Sequence, residues 1–268
     1  MKGILTLVMV AMAVITPISE DNSLTYVSGR VIDDSLAYME EDVLWVPFRA
    51  VSEALGADAI IWDPAERTGE AVMGDTSVLV REGAPYIRCS GRYFYVPGGC
   101  RLEKDRFMVP ADALCAALGG SIDLDGDNGT LWVTPGNSPI LSGSEFYDET
   151  DLYWMSRIIE AEAGVEPFLG KIAVGSVVMN RVSDSAYPST VKGVIFDNRS
   201  GIQFSPAYSG GIYCTPSADS VIAAKIALEG TDVTGGSLFF AMDDIAATCW
   251  AGRNRQYVTQ IGRHVFFA

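Results

Sequence analysis

The sequence is poor in histidine, in positive charge and in long hydrophobic runs. His264 is the only histidine among 268 residues. This excludes a metal site with two histidines and any Ser-His-Asp triad that does not use this residue. Lys and Arg number 19 against 34 Asp and Glu, giving a net charge of −15 and a pI near 4.4. Such a chain does not bind nucleic acid or an anionic surface by charge alone.

The acidity is concentrated in the first half. Residues 140–268 contain 9 Lys and Arg and 14 Asp and Glu, net −5, which leaves −10 of the total for residues 1–139. Hydrophobic residues make up 49% of the chain, which excludes a largely disordered protein. The length is enough for two domains with a core each.

One apolar run lies at the N-terminus. Lys2 precedes the run Ile4–Ile15, which Thr16-Pro17 interrupts. A run of about 12 residues is typical of a signal peptide and too short for a membrane span. We therefore predict a signal peptide over residues 1–20 and a secreted protein of the cell wall or spore envelope. An uncleaved anchor remains the alternative, because no A-x-A cleavage site is visible; no later segment could cross a bilayer.

The five cysteines fit an exported protein with one or two disulfides. Their spacing matches no zinc pattern, so no metal is predicted. We favour bridges from Cys89 to Cys100 and from Cys214 to Cys249, which leaves Cys115 as the odd thiol. A bridge from Cys100 to Cys115 stays open.

Two segments of the first half repeat each other. Val46–Gly56 lines up with Val109–Gly119, and both keep a Val-Pro pair, an Ala-Leu-Gly ending and an apolar face. Pro in the first turn and Gly just past the end delimit a helix. A strand follows each copy, at 59–63 and 121–125. The sequence therefore predicts a module of two related strand-helix-strand units over residues 21–137.

This repeated pattern resembles the small module named after the N-terminal domain of copper amine oxidases. Residues 21–137 contain no histidine, so the sequence gives no basis for a copper site. The resemblance implies attachment to the cell wall or positioning of an enzyme, and a spacer without a ligand is the alternative. Asp123–Gly129 reads as a hairpin turn rather than a calcium loop, since it lacks the twelfth-position Glu. We place a linker at residues 138–148.

A carboxylate interrupts an apolar helix face in the second half. Met155, Ile158, Ile159 and Val165 follow helical spacing, and Glu162 falls inside that stripe. A buried carboxyl tends to stay protonated, which suits a general acid near neutral pH. The alternative is that this side chain caps a neighbouring helix or pairs with an arginine, Arg157 or Arg181. Glu160, two residues earlier, is expected to point the opposite way and to be solvated.

The remaining elements predict a mostly helical domain with a small antiparallel sheet. Asp148 or Thr150 caps the first helix, and Gly164 with Pro167 ends it. Further helices are expected at 167–182, from a Ser189 cap toward Val194, and from Pro216 to Gly230. Closing strands are expected at 238–240 and 264–267, and a hairpin turn at 209–211. The fold class is thus α+β with two domains, the second over residues 149–268.

Glu162-Ala163-Gly164-Val165-Glu166-Pro167 and the segments after it resemble the SleB-type cell wall hydrolases, the spore cortex-lytic family. The resemblance covers nearly all of residues 149–268 and implies a lysozyme-like fold with Glu162 as the catalytic residue. Glu160-Ala161 departs from the Tyr-Ala of many members. The segments that carry the resemblance are Gly170–Val174, Val177–Val182, Tyr187–Val191, Gln203–Pro206, Ala223–Gly230 and Ile261–Phe266.

The resemblance implies cleavage of the glycan of peptidoglycan, between N-acetylmuramic acid and N-acetylglucosamine. Glycosidases usually need two carboxylates, and the sequence offers no obvious partner for Glu162. Family chemistry resembles that of lytic transglycosylases, which leave 1,6-anhydromuramyl ends and need no cofactor. A hydrolytic muramidase and a non-catalytic wall-binding protein stay open as alternatives, as does the choice between spore cortex and vegetative wall.

Several further residues are candidates for substrate contacts. Gln203, Phe204 and Tyr213 lie on the predicted hairpin, and ordinary packing is the alternative for the first two. Candidates in other segments are Asn180, Thr190 and Glu166. His264 is expected to be structural, and Trp250 is either core or groove wall. We expect a monomer whose partner is the glycan strand, without nucleic acid and without a membrane span after signal cleavage.

Overall fold

The computed structural model describes residues 37–125, 130–136, 138 and 140–268, together with three short strands nearer the N-terminus. The chain divides into two compact units, which meet in the sequence between Ser142 and Gly143. The mixture of helix and sheet confirms the predicted class. No helix in the described part is long and apolar enough to cross a bilayer.

The first unit is rich in strands. The bounds are β1 Ala13–Ile15, β2 Thr25–Val27, β3 Arg30–Ile32, β4 Tyr38–Glu40, β5 Val43–Pro47, α1 Phe48–Ala54, β6 Ala59–Asp63, β7 Thr68–Met73, β8 Thr76–Arg81, β9 Tyr86–Cys89, β10 Arg92–Tyr95, β11 Arg101–Glu103, β12 Arg106–Pro110, α2 Ala111–Leu118, β13 Ser121–Asp125 and β14 Thr130–Thr134. The five-stranded antiparallel sheet has the order β10-β9-β8-β7-β6, and the four-stranded sheet has the order β11-β12-β5-β4. A three-stranded sheet has the order β1-β14-β13, and β2 and β3 form a hairpin.

The two Val-Pro segments lie side by side in this unit. Val46 of β5 pairs with Val109 of β12 in an antiparallel ladder, and each strand runs through its proline directly into a helix. Gly119 closes α2 in the left-handed conformation, with φ of 73°, where a side chain would be strained. The predicted strands at 59–63 and 121–125 are confirmed as β6 and β13.

Some predictions for the first half fall outside the described residues. The tip of the predicted turn, at 126–129, is one of them. The predicted signal peptide is another, apart from Ala13–Ile15, which pairs with β14. The predicted linker is described in part, and residues 143–146 of it form the short helix α3, Gly143–Phe146.

Neither predicted disulfide is present, although all five cysteines lie among the described residues. The thiol of Cys214 contacts the carbonyl oxygen of Arg157 at 3.8 Å. The thiol of Cys249 contacts the carbonyl oxygen of Ala246 at 3.3 Å, and it caps the helix Trp250–Asn254. In the first unit the Cys100 thiol contacts the carbonyl oxygen of Tyr86. The thiols thus point to separate carbonyl partners.

The second unit is mainly helical with one small antiparallel sheet, as predicted. The sheet order is β15-β17-β16. The bounds after α3 are α4 Glu149–Ala163, α5 Phe168–Ser183, α6 Val191–Ile195, α7 Ser205–Ser209, a 3₁₀ turn Gly211–Tyr213, α8 Ala218–Leu228, β15 Phe239–Met242, α9 Asp243–Ala246, α10 Trp250–Asn254, β16 Tyr257–Ile261 and β17 His264–Phe267.

Close packing of α4, α5 and α8 forms the centre of this unit. A Cβ atom added at Gly175 of α5 would lie 2.7 Å from Cβ of Ala227 in α8 and 3.1 Å from Ile159 in α4. Only glycine therefore allows the three helices to approach this closely.

Candidate active site

Glu162 lies in the last turn of α4. Asp148 caps the start of this helix by accepting hydrogen bonds from the backbone N–H groups of Thr150 and Asp151, at 2.8 and 3.0 Å. Buried residues of α4 occur at the positions that the apolar stripe predicts: Met155, Ile158 and Ile159. Glu162 follows them on the same face at helical spacing and is partly buried there, in line with the prediction of a carboxylate on the core side.

The Glu162 carboxyl group is largely buried and has no hydrogen bond or ion pair with the residues that the structure describes. Burial alone raises its pKa from 4.5 to about 7. Desolvation disfavours the charged form, and no nearby donor or cation offsets this cost. The group is therefore partly protonated near neutral pH and can both donate and accept a proton.

Glu160, two residues earlier, has a different environment. Its carboxylate accepts hydrogen bonds from the Ser217 backbone N–H at 3.0 Å, the Ser217 hydroxyl at 2.7 Å and the Ser220 hydroxyl at 2.6 Å. The two hydroxyl groups, more than any other cause, lower the pKa of Glu160 to about 2. The side chain lies at a partly exposed site, so the predicted solvation is only part of its environment, and the hydrogen bonds to α8 are the part that the sequence did not show. It is Glu160, and not Glu162, that bonds to a neighbouring helix, because the cap residue Ser217 and the first turn of α8 pack beside it.

Neither of the two arginines considered as partners pairs with Glu162. Arg157 lies over the ring of Tyr153, with its guanidinium carbon 3.6 Å from the ring centre. Arg181 is buried; its Nε donates to the carbonyl of Leu238 at 2.7 Å. Burial lowers the pKa of Arg181. Both cations are thus engaged away from the candidate acid.

A buried lysine fixes the end of α4 next to Glu162. Lys171 of α5 donates from Nζ to the carbonyl oxygens of Ala163 at 2.9 Å and Gly164 at 2.6 Å. These carbonyls have no partner within the helix, and a cation at a helix C-terminus also suits the helix dipole. Because the helix ends here, Val165 leaves the apolar stripe and is 98% exposed, contrary to prediction.

The Glu166 side chain is buried, and its carboxylate is engaged in a hydrogen bond to the backbone. Its Oε2 accepts a hydrogen bond from the backbone N–H of Arg263 at 2.9 Å, in the turn between β16 and β17. A side chain at Gly262 would clash with this carboxylate. Glu166 therefore joins the α4–α5 connection to the sheet. His264 is buried beside it, and burial lowers its pKa. No three residues of His, Cys, Asp or Glu in the described ranges come together as a metal site.

The predicted hairpin at residues 203–213 is wrong. Pro206 stands in the first turn of α7, and Gly210, with φ of 89°, ends that helix before the 3₁₀ turn. Gln203 donates to the carbonyl of Gly201 at 2.9 Å, and Phe204 is fully buried in the core. Tyr213, in contrast, is 67% exposed and remains available to a ligand.

Asn180 and Thr190 both make structural hydrogen bonds. The Asn180 amide donates to the carbonyl of Ser237 at 3.1 Å and holds the loop that precedes β15. Thr190 accepts from the backbone N–H of Gly193 at 3.1 Å and caps α6, a role that the sequence assigned to Ser189. The prediction for α8 needs a similar correction, because Ser217 is the cap and Pro216 lies before the helix.

Sequence reasoning missed a group of aromatic side chains around Trp154. The Trp154 ring lies 4.9 Å from Tyr153, 5.1 Å from Phe196 and 6.3 Å from Tyr213, and the Phe196 ring lies 6.3 Å from that of Tyr208. We call these five residues the aromatic cluster. Three of them are exposed: Tyr153, Tyr208 and Tyr213. The Tyr-Trp pair early in α4 was the only local signal, since the other rings come from distant segments.

A second aromatic group is formed by residues of β15 and α10. Trp250 is exposed and packs edge to face on Phe239 at 5.5 Å. The guanidinium of Arg255 stands 4.8 Å from the Phe239 ring centre and 5.1 Å from that of Trp250. Trp250 is therefore a surface residue and not part of the core.

Comparison with known families matches both halves of the chain. Residues 26–133 match the copper amine oxidase N-terminal domain, and residues 165–267 match the cell wall hydrolase family. The second match begins three residues after Glu162. The spore cortex-lytic enzyme of Bacillus cereus is 36% identical over 120 residues, covering 45% of each chain. That of Oceanobacillus iheyensis is 31% identical over 147 residues, 55% of this chain and 52% of the relative. The chain thus spans about half the length of these relatives.

One of the solved structures that are similar to this chain is the catalytic domain of the Bacillus cereus SleB protein. It is 35% identical, and the match covers 46% of this chain and 92% of that domain with a TM-score of 0.41. By sequence, residues 165–267 of this chain are thus similar to the cell wall hydrolase domain of the spore cortex-lytic enzymes, and residues 26–133 before them are similar to the copper amine oxidase N-terminal domain.

Proposed function

We propose that this protein is an exported peptidoglycan lytic enzyme in which Glu162 acts as general acid and base. The observation that carries the proposal is the state of this carboxyl group. It is largely buried, it has no partner among the described residues, and its pKa is raised to about 7. A catalytic group works best when its pKa lies near the working pH.

The chemistry needs one carboxyl group when the substrate supplies the rest. Glu162 donates its proton to the oxygen that bridges N-acetylmuramic acid and N-acetylglucosamine, and the bond from the muramic acid C1 to that oxygen breaks. The N-acetyl carbonyl stabilises the positive charge at C1. The Glu162 carboxylate then takes the proton of the muramic acid 6-hydroxyl, whose oxygen bonds to C1. The product has a 1,6-anhydromuramyl end, Glu162 is again protonated, and no water is consumed.

The environment of Glu160 and Glu166, the two carboxylates nearest to Glu162 in the sequence, favours this route over a hydrolytic muramidase. A second carboxylate acting as nucleophile or base must be free to approach the sugar or a water. Three hydrogen bonds hold Glu160 to the start of α8, and Glu166 accepts from the Arg263 backbone. Neither is a good candidate for that part, which supports a mechanism with Glu162 alone.

The hydrogen bonds of Glu160 also bear on the non-catalytic alternative. The departure at Glu160-Ala161 suggested an inactive domain. However, Glu160 anchors α8, which is a structural role that leaves Glu162 able to act. We therefore prefer an active enzyme over a wall-binding protein.

The aromatic cluster is the proposed contact surface for the glycan strand. Exposed aromatic rings present flat apolar faces with a polar edge, which suits the apolar face of a sugar ring. Lys192 lies 5.3 Å from the Trp154 ring centre and adds a hydrogen-bond donor at this surface. Of the residues named from the sequence for substrate contacts, Tyr213 alone belongs to this cluster.

We further infer the organisation of the chain around this activity. A signal peptide at residues 1–20 exports the protein, residues 21–137 form two related strand-helix-strand units, and residues 149–268 form a lysozyme-like catalytic domain that acts as a monomer. The antiparallel pairing of Val46 with Val109 supports the relation between the two units, since equivalent segments meet each other.

Mass spectrometry of the muropeptides released from purified peptidoglycan tests the proposal. The wild-type protein should release fragments with anhydro ends, one water lighter than reducing ends, and Glu162→Gln should release none. Reducing ends would replace the transglycosylase by a muramidase with a second base. Fragments from Glu162→Gln at the wild-type rate would end the role of Glu162, and wall binding without fragments from either protein would favour the non-catalytic alternative.

A further inference from the structure

The first unit contains a cavity that the lytic reaction does not use. It lies between α1, the edge strand β6 and the turn that joins β11 to β12, and its volume is about 380 Å³. This is within the range of small-ligand sites, which are concave, mostly apolar and carry a few polar groups. Its apolar lining includes Phe48, Ile60, Trp62, Leu102 and Phe107.

Trp62 offers a flat apolar surface at this cavity. Its side chain is 42% exposed, although it is the largest hydrophobic residue of the unit's edge strand. The ring packs edge to face on Phe107, with 5.4 Å between the ring centres. Gly69 pairs with Trp62 across β6 and β7, and a Cβ atom there would lie 3.0 Å from the Phe107 ring. The missing side chain at Gly69 thus makes room for the aromatic pair.

The rim of the cavity is polar and has no net charge. Arg49 and Glu53 stand on the exposed face of α1, four residues apart. Asp105 comes from the turn before β12, and Arg106 is the first residue of that strand. Two positive and two negative side chains cancel, although the first half of the chain carries a net charge of −10. The rim therefore offers hydrogen-bond donors and acceptors without selecting an anion or a cation.

An apolar floor with a balanced rim suits a neutral ligand that has one apolar face and several hydroxyl and amide groups. An N-acetylated sugar has this character. We propose that the cavity binds an N-acetylated glycan strand, with a sugar ring stacked on Trp62 and its substituents bonded to the rim. This proposal rests on the proposed function, because the ligand is the polymer that the second unit would cleave.

Co-sedimentation of the full chain with purified peptidoglycan measures this binding. All variants carry Glu162→Gln so that the pellet stays intact. Trp62→Ala should weaken retention about ten-fold, the loss typical of one central aromatic contact. Met39→Ala is the matched control, because Met39 is 50% exposed on β4 and does not line the cavity. It should leave retention unchanged.

The double variant Arg49→Ala, Glu53→Ala guards against loss of folding in Trp62→Ala. Both side chains are exposed on α1, so their removal leaves the core intact. It should weaken retention several-fold, and the melting temperature should stay at the parent value. Retention at the parent level in both variants would overturn the proposal, even if Glu162→Gln is inactive as expected. Lysis by Glu162→Gln would instead contradict the proposed function and leave the binding result standing.

Competition identifies the chemistry of the ligand. Chitotetraose, a neutral N-acetylglucosamine oligomer, should displace the Trp62-dependent part of the binding. This part of the binding should also be equal in low and high salt, because the rim of the cavity has no net charge. Displacement by the free stem peptide but not by chitotetraose would show that the cavity recognises peptide and would overturn the proposal.

Discussion

Two carboxyl groups in the last turns of one helix have opposite properties. Glu160 has three hydrogen bonds from the start of α8, and its pKa is lowered to about 2. Glu162 has no partner among the described residues, and burial raises its pKa to about 7. The two residues share a helix, a charge type and a neighbourhood in the sequence. Their difference shows that the packing of neighbouring helices determines whether a carboxyl group is an anchor or an acid.

The largest expected difference between them is in activity. Glu162→Gln removes the proton donor and should reduce lysis of purified peptidoglycan by about 10²–10⁴-fold, the range for general acid-base catalysis. Glu160→Gln keeps the donor and should stay within about ten-fold of wild type, because it only loosens α8. The measurement is the initial rate of turbidity loss. Equal losses in the two matched variants would contradict the division of roles.

The difference in stability between wild type and Glu162→Gln should depend on pH in the direction set by the raised pKa of Glu162. The protonated form of Glu162 is favoured in the folded state, so its contribution to stability is complete below about pH 4.5 and is lost as the pH rises through about 7. Glutamine does not ionise. Above pH 8 the variant should therefore be more stable than wild type by roughly 2–3 kcal/mol, and below pH 4.5 the gap should close. Denaturant unfolding of both proteins above pH 8 and below pH 4.5 measures this difference in the free energy of unfolding.

Glu160→Gln should show the opposite dependence. The pKa of Glu160 is lowered in the folded state, so its contribution is present above about pH 4.5 and is lost as the pH falls through about 2. At pH 7 the variant should be less stable by about 1–2 kcal/mol, the usual cost of charge-assisted hydrogen bonds at a partly exposed site. The same unfolding series measures it. A deficit that persists at pH 2 would assign the loss to shape instead of charge.

The smallest expected effect concerns the substrate surface. Tyr213→Ala should raise KM for soluble glycan several-fold and leave kcat nearly unchanged, because a stacking contact binds substrate and transition state alike. Tyr257→Ala is a matched control, since Tyr257 is also exposed but lies on β16, outside the aromatic cluster. A fall in kcat at constant KM in Tyr213→Ala would place this ring at the reacting sugar.

Local signals in the sequence predicted much of the helical framework. The Asp148 cap, the end of α4 at Gly164, the start of α5 after Pro167 and the two helices after Val-Pro pairs all depend on neighbours within a few residues. The secondary-structure predictions failed where two local signals favoured different structures. Ser209-Gly210-Gly211 suggested a hairpin, whereas Pro206 and the left-handed Gly210 produce a short helix and a 3₁₀ turn.

The apolar stripe of α4 by itself placed Glu162 on the core side, because a period of 3.6 residues fixes which side chains share a face. The residues that Glu160, Glu166 and Lys171 contact could not be derived in this way. Their partners lie on α8, on the β16–β17 turn and at the end of α4, and they meet only when these elements pack. The sequence determined the position of the candidate acid. Only the tertiary structure decided that Glu162, unlike Glu160 and Glu166, is left without a partner among the described residues. The reason is that the pKa of a group depends on everything that surrounds the group in space.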